Sequence, residues 1–357
     1  MRTRRRRWLI GTALTTLALG FAPAAQAGAV GATSSSTPPA HVKARISVAA
    51  GSIQAVGLGQ DVFVLSLNEI SSSRQHSVLT EVDATTDAVV GKLDLGLGSV
   101  SGNGLPGPLA VGSGSLWVTD FQRNVLDRID PASLALTAQI PTGVSPTSVV
   151  VAFGSVWVSH QHDARLWRID PLTNRVVARI QVDDPKTYEH GGQYGLTHVA
   201  ADSTGLLETI GSRDVVVRVS AVANRVVTTY DVAPAFDCGQ VLPIAGGFWL
   251  DDASCSFDGF HYSFTAGAMV GHFTTNGAGC VLSASVVDGQ VYVADSLSAP
   301  PPNYDCVDNA VQKLDTTGAV TATRVLPGAM YAWAVQELAG DFWVETGGRH
   351  VYRIAAF

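Results

Sequence analysis

Forty residues apart, GSLWVTDFQRNVLDRIDP (114–131) and GSVWVSHQHDARLWRIDP (154–171) are nearly the same string. A short alternating apolar run after Gly or Asp returns as DVFVLS at Phe63, GSLWVTD at Trp117, GSVWVSH at Trp157 and TGLLETI at Leu207. It returns again as GGFWLDD at Trp249, GQVYVAD at Tyr292 and GDFWVET at Trp343. The markers stand 40 to 54 residues apart. A period of that length means one supersecondary unit per copy, unable to hide its own apolar face and obliged to stack on its neighbours.

Within a copy the alternation has period two, Val is abundant and Gly turns are frequent, so the unit reads as four short strands and leaves few helical windows. In the third copy Ser148 to Ala152 is the inner strand, Val156 to Ser159 the second, Leu166 to Ile169 the third and Val176 to Val182 the outer edge. Asp170-Pro171-Leu172-Thr173 supplies a type I turn, with Pro fixing its own φ and Asp capping the backbone. The seventh copy stops after HVYRI without a fourth strand. Val42 to Val48 matches Val176 to Val182 at five of seven positions, so the chain's start completes its last copy and leaves no open seam. The expected fold is all-β: a seven-bladed β-propeller over 42–357, closed by an N-terminal strand that completes the last blade.

Residues 1–27 read as a signal peptide: Arg2 and Arg4 to Arg7, an apolar run from Trp8 to Ala22, then Ala25-Gln26-Ala27. Either general or twin-arginine export fits the arginines. The run is short for a membrane span, and no later segment offers twenty unbroken apolar residues. Residues 28–41 have the composition of a flexible linker. Removing the signal's five arginines takes 23 basic residues to 18 against 30 acidic ones, a net charge near −12. Such a surface repels phosphate backbones, which argues against nucleic acid as a partner. The expectation is a secreted monomer.

Cys238, Cys255, Cys280 and Cys306 are an even set in an exported chain and predict two disulfides. The rival zinc reading lacks CxxC or HxxxH spacing. Cys238 and Cys280 precede the first strands of copies five and six, and Cys255 and Cys306 follow the second strands. The expected pairs are therefore Cys238 with Cys255 and Cys280 with Cys306.

Recurrent tryptophans are scaffold, packed between blades; function belongs to what differs between copies. The first strand starts and the second ends on one face beside the channel. Candidate binding residues there are Asp120, His160, Tyr194, Asp252, Asp295, Tyr331 and Trp333, an acidic and aromatic set. The loop DDPKTYEHGGQYGLTH (183–198) contributes Glu189, His190 and His198 as candidate catalytic groups. In His160-Gln161-His162-Asp163 the two histidines at i and i+2 of a strand, with Asp163, suggest a divalent metal such as Mg, Ca or Zn. No G-x-S-x-G, Walker or dinucleotide motif occurs.

At GSLWVTD…LDRIDPASL…TAQIPTG and GSVWVSH…LWRIDPLTNRVVARIQV the sequence resembles YVTN-type repeats and, more broadly, the streptogramin lyase (virginiamycin B lyase) propellers. The resemblance implies the propeller fold and a metal-assisted elimination near the channel mouth, using magnesium, acidic residues and a histidine base. The WFTE-like repeat of those lyases is replaced here by WVTD and WVSH. Two functions follow as expectations. The first is a binding scaffold for a small molecule or an envelope or exported protein; the alternative is a metal-dependent lyase or hydrolase.

Overall fold

The computed structural model describes residues 40–71, 74–97, 107–185, 197–232, 239–251, 258–274, 283–296, 309–326, 332–346 and 348–357. Pro38–Phe357 is one compact unit. Its strands form seven four-stranded antiparallel sheets, and Gly211–Arg213 is a single helical turn. The sheets are the blades of a propeller. In chain order each blade runs from inner strand A to outer strand D, as in blade 3: Pro146–Ala152, Ser155–His160, Arg165–Asp170 and Arg175–Gln181. Blade 7 takes A, B and C from the chain's end, Ala332–Leu338, Asp341–Thr346 and His350–Ile354, and D from its start, Val42–Ser47. Val42 lies opposite Ile354 and Ser47 opposite His350. The closing strand expected from the match to Val176–Val182 is therefore in place.

Each marker aromatic fills the seam to the following blade. Trp117 packs with Val149, Val156 and Ile169 of blade 3, Trp157 with Val199 and Val217 of blade 4, and Trp343 with Ala55, Val62 and Val82 of blade 1. All four repeated tryptophans are buried. The indole N–H groups of Trp117, Trp157 and Trp343 donate to Gly112, Ala152 and Leu338, the inner-strand carbonyls five residues back. One side chain thus ties strands A and B of its own blade while sealing the next.

Strand C supplies a second tie. Opposite each marker stands Arg128, Arg168, Arg218, His261, Lys313 or Arg353, and in blade 1 Glu81. Arg168 stacks over Trp157 and donates to Ala221 O and Asn224 Oδ1 in the C–D turn of blade 4. Arg353 reaches the corresponding turn of blade 1 through Ala84 O and Asp87 Oδ1. His261 lies flat on Trp249 and meets Thr316 O of blade 6. The Arg of the repeated Arg-Ile-Asp string is thus a hook between blades.

Around the channel, side chains bridge neighbouring inner strands, beside the backbone bond from Val149 N–H to Gly107 O at 2.7 Å. Ser52 Oγ donates to Thr346 O across the closing seam, and Thr147 Oγ1 donates to Thr197 O between blades 3 and 4. Gln54 Oε1 accepts the N–H groups of Gly107 and Leu109, joining blade 1 to blade 2. Gln240 Nε2 donates to Ala284 O, joining blade 5 to blade 6.

Candidate functional site

Strand A begins and strand B ends at one end of the channel, here the loop end. Side chains of strand B stand perpendicular to their sheet, and the sheets are radial, so these side chains enter the seams between blades. Residues expected to crowd the mouth are therefore placed beneath it: Asp120 is 4 % exposed and His160 1 %.

Asp120 holds the turn that follows strand B. Its Oδ1 accepts the Arg123 N–H and its Oδ2 the Arg123 Nε–H at 2.5 Å, while Arg123 Nη2 donates to Leu95 O of blade 1. A carboxylate read as a ligand contact thus serves to hook blade 2 to blade 1.

His160 is likewise engaged. Its Nε2 accepts the Gly143 N–H at 3.0 Å, which leaves Nδ1–H to donate to Arg165 O at 3.2 Å. Burial drives its pKa down from 6.5 to about 4, so the ring is neutral. A Cβ on Gly143 would lie 2.5 Å from Asp163 Oδ2 and 3.0 Å from His160 Cδ2, so only glycine allows this approach. Asp163 Oδ2 accepts the indole N–H of Trp167 at 2.8 Å. His162 is exposed, its ring 6.4 Å from that of Phe121. The strand ends at His160, so the i, i+2 alternation expected to bring both histidines to one point does not continue. His160 has no nitrogen left for a metal, and His160, His162 and Asp163 do not fit a metal centre. Among the described residues no group of three or more His, Cys, Asp or Glu is arranged to hold one.

His198 has a different place. It precedes the inner strand of blade 4 (Val199–Ala201) and lines a cavity of about 570 Å³ along the channel. Its Nδ1 accepts the Val241 N–H of blade 5 at 3.3 Å, and burial lowers its pKa from 6.5 to about 4. A backbone N–H can only donate, so Nδ1 is unprotonated and the ring proton sits on Nε2. The Cδ2 edge abuts Gly107 of blade 2, whose φ is +130° and whose Cβ would lie 2.9 Å from Cδ2. Gln54, Gly107, His198 and Gln240 form the neck of the cavity at the loop end. Ala200, Val241, Ala284 and Val335 line its body, and Asp288 and Glu337 lie toward the A–B turns at the far end.

Two buried carboxyls stand outside the candidate set. Glu208 occupies the place that Val118, Val158 and Val344 hold in other copies, and Glu345 the place of the hydroxyls of Thr119, Ser159 and Thr209. Glu345 is fully buried at the closing seam, and neither oxygen has a hydrogen-bond partner. Burial lifts its pKa from 4.5 to about 8, and the nearby N–H groups of Glu345 itself and Ala55 oppose this only partly. Glu208 is raised too, by burial first and then by the charges of Asp163 and Asp183. A Glu at a place that is Val or Leu in every other copy was the available signal for Glu208.

Glu189, His190, Tyr194, Asp252, Tyr331 and all four cysteines lie outside the described residues. Asp295 and Trp333 fall on strands Gln290–Ser296 and Ala332–Leu338, with their side chains outside the description.

No protein-family profile matches the chain, and no curated protein matches it. Solved structures do. Virginiamycin B lyase from Staphylococcus aureus is similar at a TM-score of 0.62 and 11 % identity, covering 88 % of this chain and 99 % of that one. BamB from Moraxella catarrhalis is similar at 0.58 and 12 % identity, with the same coverage. A chain of the mitotic checkpoint complex is similar at 0.59 and 11 % identity, covering 96 % of this chain and 100 % of that one. Identities this low establish a shared fold: the seven-bladed propeller is common to a lyase and to components of protein assemblies, and is consistent with a binding scaffold.

Proposed function

We propose that this protein is an exported binding propeller, a monomer that receives a small molecule or another exported or envelope protein at the loop end of its channel. The observation that carries the reading is the division of labour among polar groups at that end. Asp120 and His160 are spent on holding loops. Gln54 and His198, by contrast, keep donors that face the cavity. A stitched, rigid ring with a few oriented polar groups at the neck of an apolar cavity is a recurrent form of ligand site. The basic and apolar N-terminus and the four cysteines support export. The test is hydrogen exchange of the disulfide-intact mature chain with fractionated exported proteins and metabolites. Protection is expected at the loop-end termini of the inner strands and at residues 142–145. Protection confined to the A–B and C–D turns of the opposite end overturns the reading.

Similarity to virginiamycin B lyase over 88 % of the chain supports metal-dependent elimination as the second reading. It would draw on Glu189, His190 and Asp252. Stoichiometric magnesium, calcium or zinc in the purified chain, lost in a Glu189→Gln/His190→Ala variant, would replace the first reading by the second.

A further inference from the structure

We infer that the channel neck is a recognition site for the carbonyl oxygen of an uncharged molecule, with His198 Nε2–H and the Gln54 amide as its two donors and the apolar channel as the bed for the rest of the ligand. The inference rests on the proposed binding role and specifies its ligand.

Three observations converge. The first is that the free hydrogen-bonding capacity of this pair is all of one kind. Val241 N–H occupies His198 Nδ1, so the remaining ring nitrogen is a donor. Gly107 and Leu109 N–H groups occupy Gln54 Oε1, so the remaining amide nitrogen is a donor as well. Both residues are more than nine-tenths buried, and both line the cavity. The pair can serve an acceptor and cannot serve a cation.

The second observation is the charge of the walls. Among the described residues no Lys or Arg lines the cavity, and its ionisable carboxylates, Asp288 and Glu337, are at the opposite end. An anionic acceptor would lose its hydration with no cation to compensate, whereas a ketone, amide or ester oxygen needs only the two donors. The third is the fit. About 570 Å³ lies in the range of sites for small organic ligands, and Ala200, Ala284, Val241 and Val335 offer apolar contact beyond the neck.

The probes are three compounds of similar apolar length: N-butylpyrrolidinone, pentanoate and butylammonium. Binding to the mature protein is read by saturation-transfer NMR and by the 15N shifts of the His198 ring. N-butylpyrrolidinone is expected to shift His198 Nε2 and to bind at least fivefold more tightly than either charged probe. Gln54→Glu retains the oxygen that accepts from Gly107 and Leu109 but replaces the donor by an acceptor, and should weaken the neutral probe at least fivefold. His198→Phe, checked for folding by its thermal transition, should do the same. Equal binding of pentanoate, or neutral-probe binding unchanged in Gln54→Glu, overturns the inference. Failure of all three probes alongside loop-end protection by an exported protein would overturn it too, while leaving the binding scaffold in place.

Discussion

The guanidinium of Arg128 lies over the Trp117 ring of its own blade, 4.9 Å from the centroid, and donates to Asn174 Oδ1 in the next blade at 2.8 Å. Asn174 stands at φ +57°, and its counterparts Asn224 and Asp87 at +50° and +58°, so a turn in left-handed conformation offers each hook its oxygen. Arg128→Ala should therefore cost about 2 kcal/mol in urea unfolding, from the lost charge-assisted bonds and the ring contact. Asn174→Gly keeps the backbone conformation and removes only the acceptor. A double-mutant cycle should give a coupling of about 1 kcal/mol; additive costs would mean the hook contributes no specific tie.

Glu345 makes stability depend on pH with a definite sign. Its folded pKa of about 8 is above the unfolded value of 4.5, so its contribution is complete below about pH 4.5. As pH rises the unfolded chain ionises first, and stability falls until the folded carboxyl ionises too, near pH 8. The loss is on the order of 5 kcal/mol at about 1.4 kcal/mol per pKa unit. Urea midpoints from pH 5 to 9 should fall in wild type and fall less in Glu345→Gln. Parallel profiles would exclude Glu345 as the source.

His160 and His198 act on the acid side. Their folded pKa values, lowered from 6.5 to about 4, leave their contributions intact above about pH 6.5 and remove them as pH falls toward 4. Imidazole NMR signals of both should stay neutral at pH 5.5. A His160 signal titrating near 6.5 would contradict its two backbone bonds.

His160→Ala should destabilise the protein by about 2 kcal/mol or more, because Gly143 N–H loses its acceptor. Added magnesium, calcium or zinc should shift the thermal transition of wild type and variant equally. A metal-induced shift lost in the variant would restore His160 as a ligand.

A chain beginning at Ala49 lacks the outer strand of blade 7, leaves Tyr352 and Ile354 exposed along strand C, and removes the Lys43 partner of Asp341. Relative to a chain beginning at Pro38, its thermal midpoint should fall by about 10 °C or more. Equal midpoints would show that the ring does not depend on the closing strand.

Much of this architecture was legible in the sequence because a repeat states its periodicity directly. Six marker aromatics and Leu207 predicted seven blades, and Val42 to Val48 announced the strand that closes the last. Hydrophobic alternation is a local property, and stacking is its only outlet. Asp120 and His160 show where that reading stopped. Residues that follow Trp117 and Trp157 by three positions were placed on the correct end of the molecule but on the wrong surface.

The sequence by itself determined the ring, its closure and the burial of its tryptophans, since these depend on which residues are apolar and at what spacing. Only the tertiary structure decided which polar groups remain free. Whether a histidine is a ligand, a latch or a donor depends on which backbone groups from elsewhere in the chain reach its two nitrogens. Gly143 N–H and Arg165 O exhaust His160, whereas Val241 N–H leaves His198 with one hydrogen for the channel. Those partners are separated from the histidines by 5 to 43 residues, and only the folded ring brings them into contact.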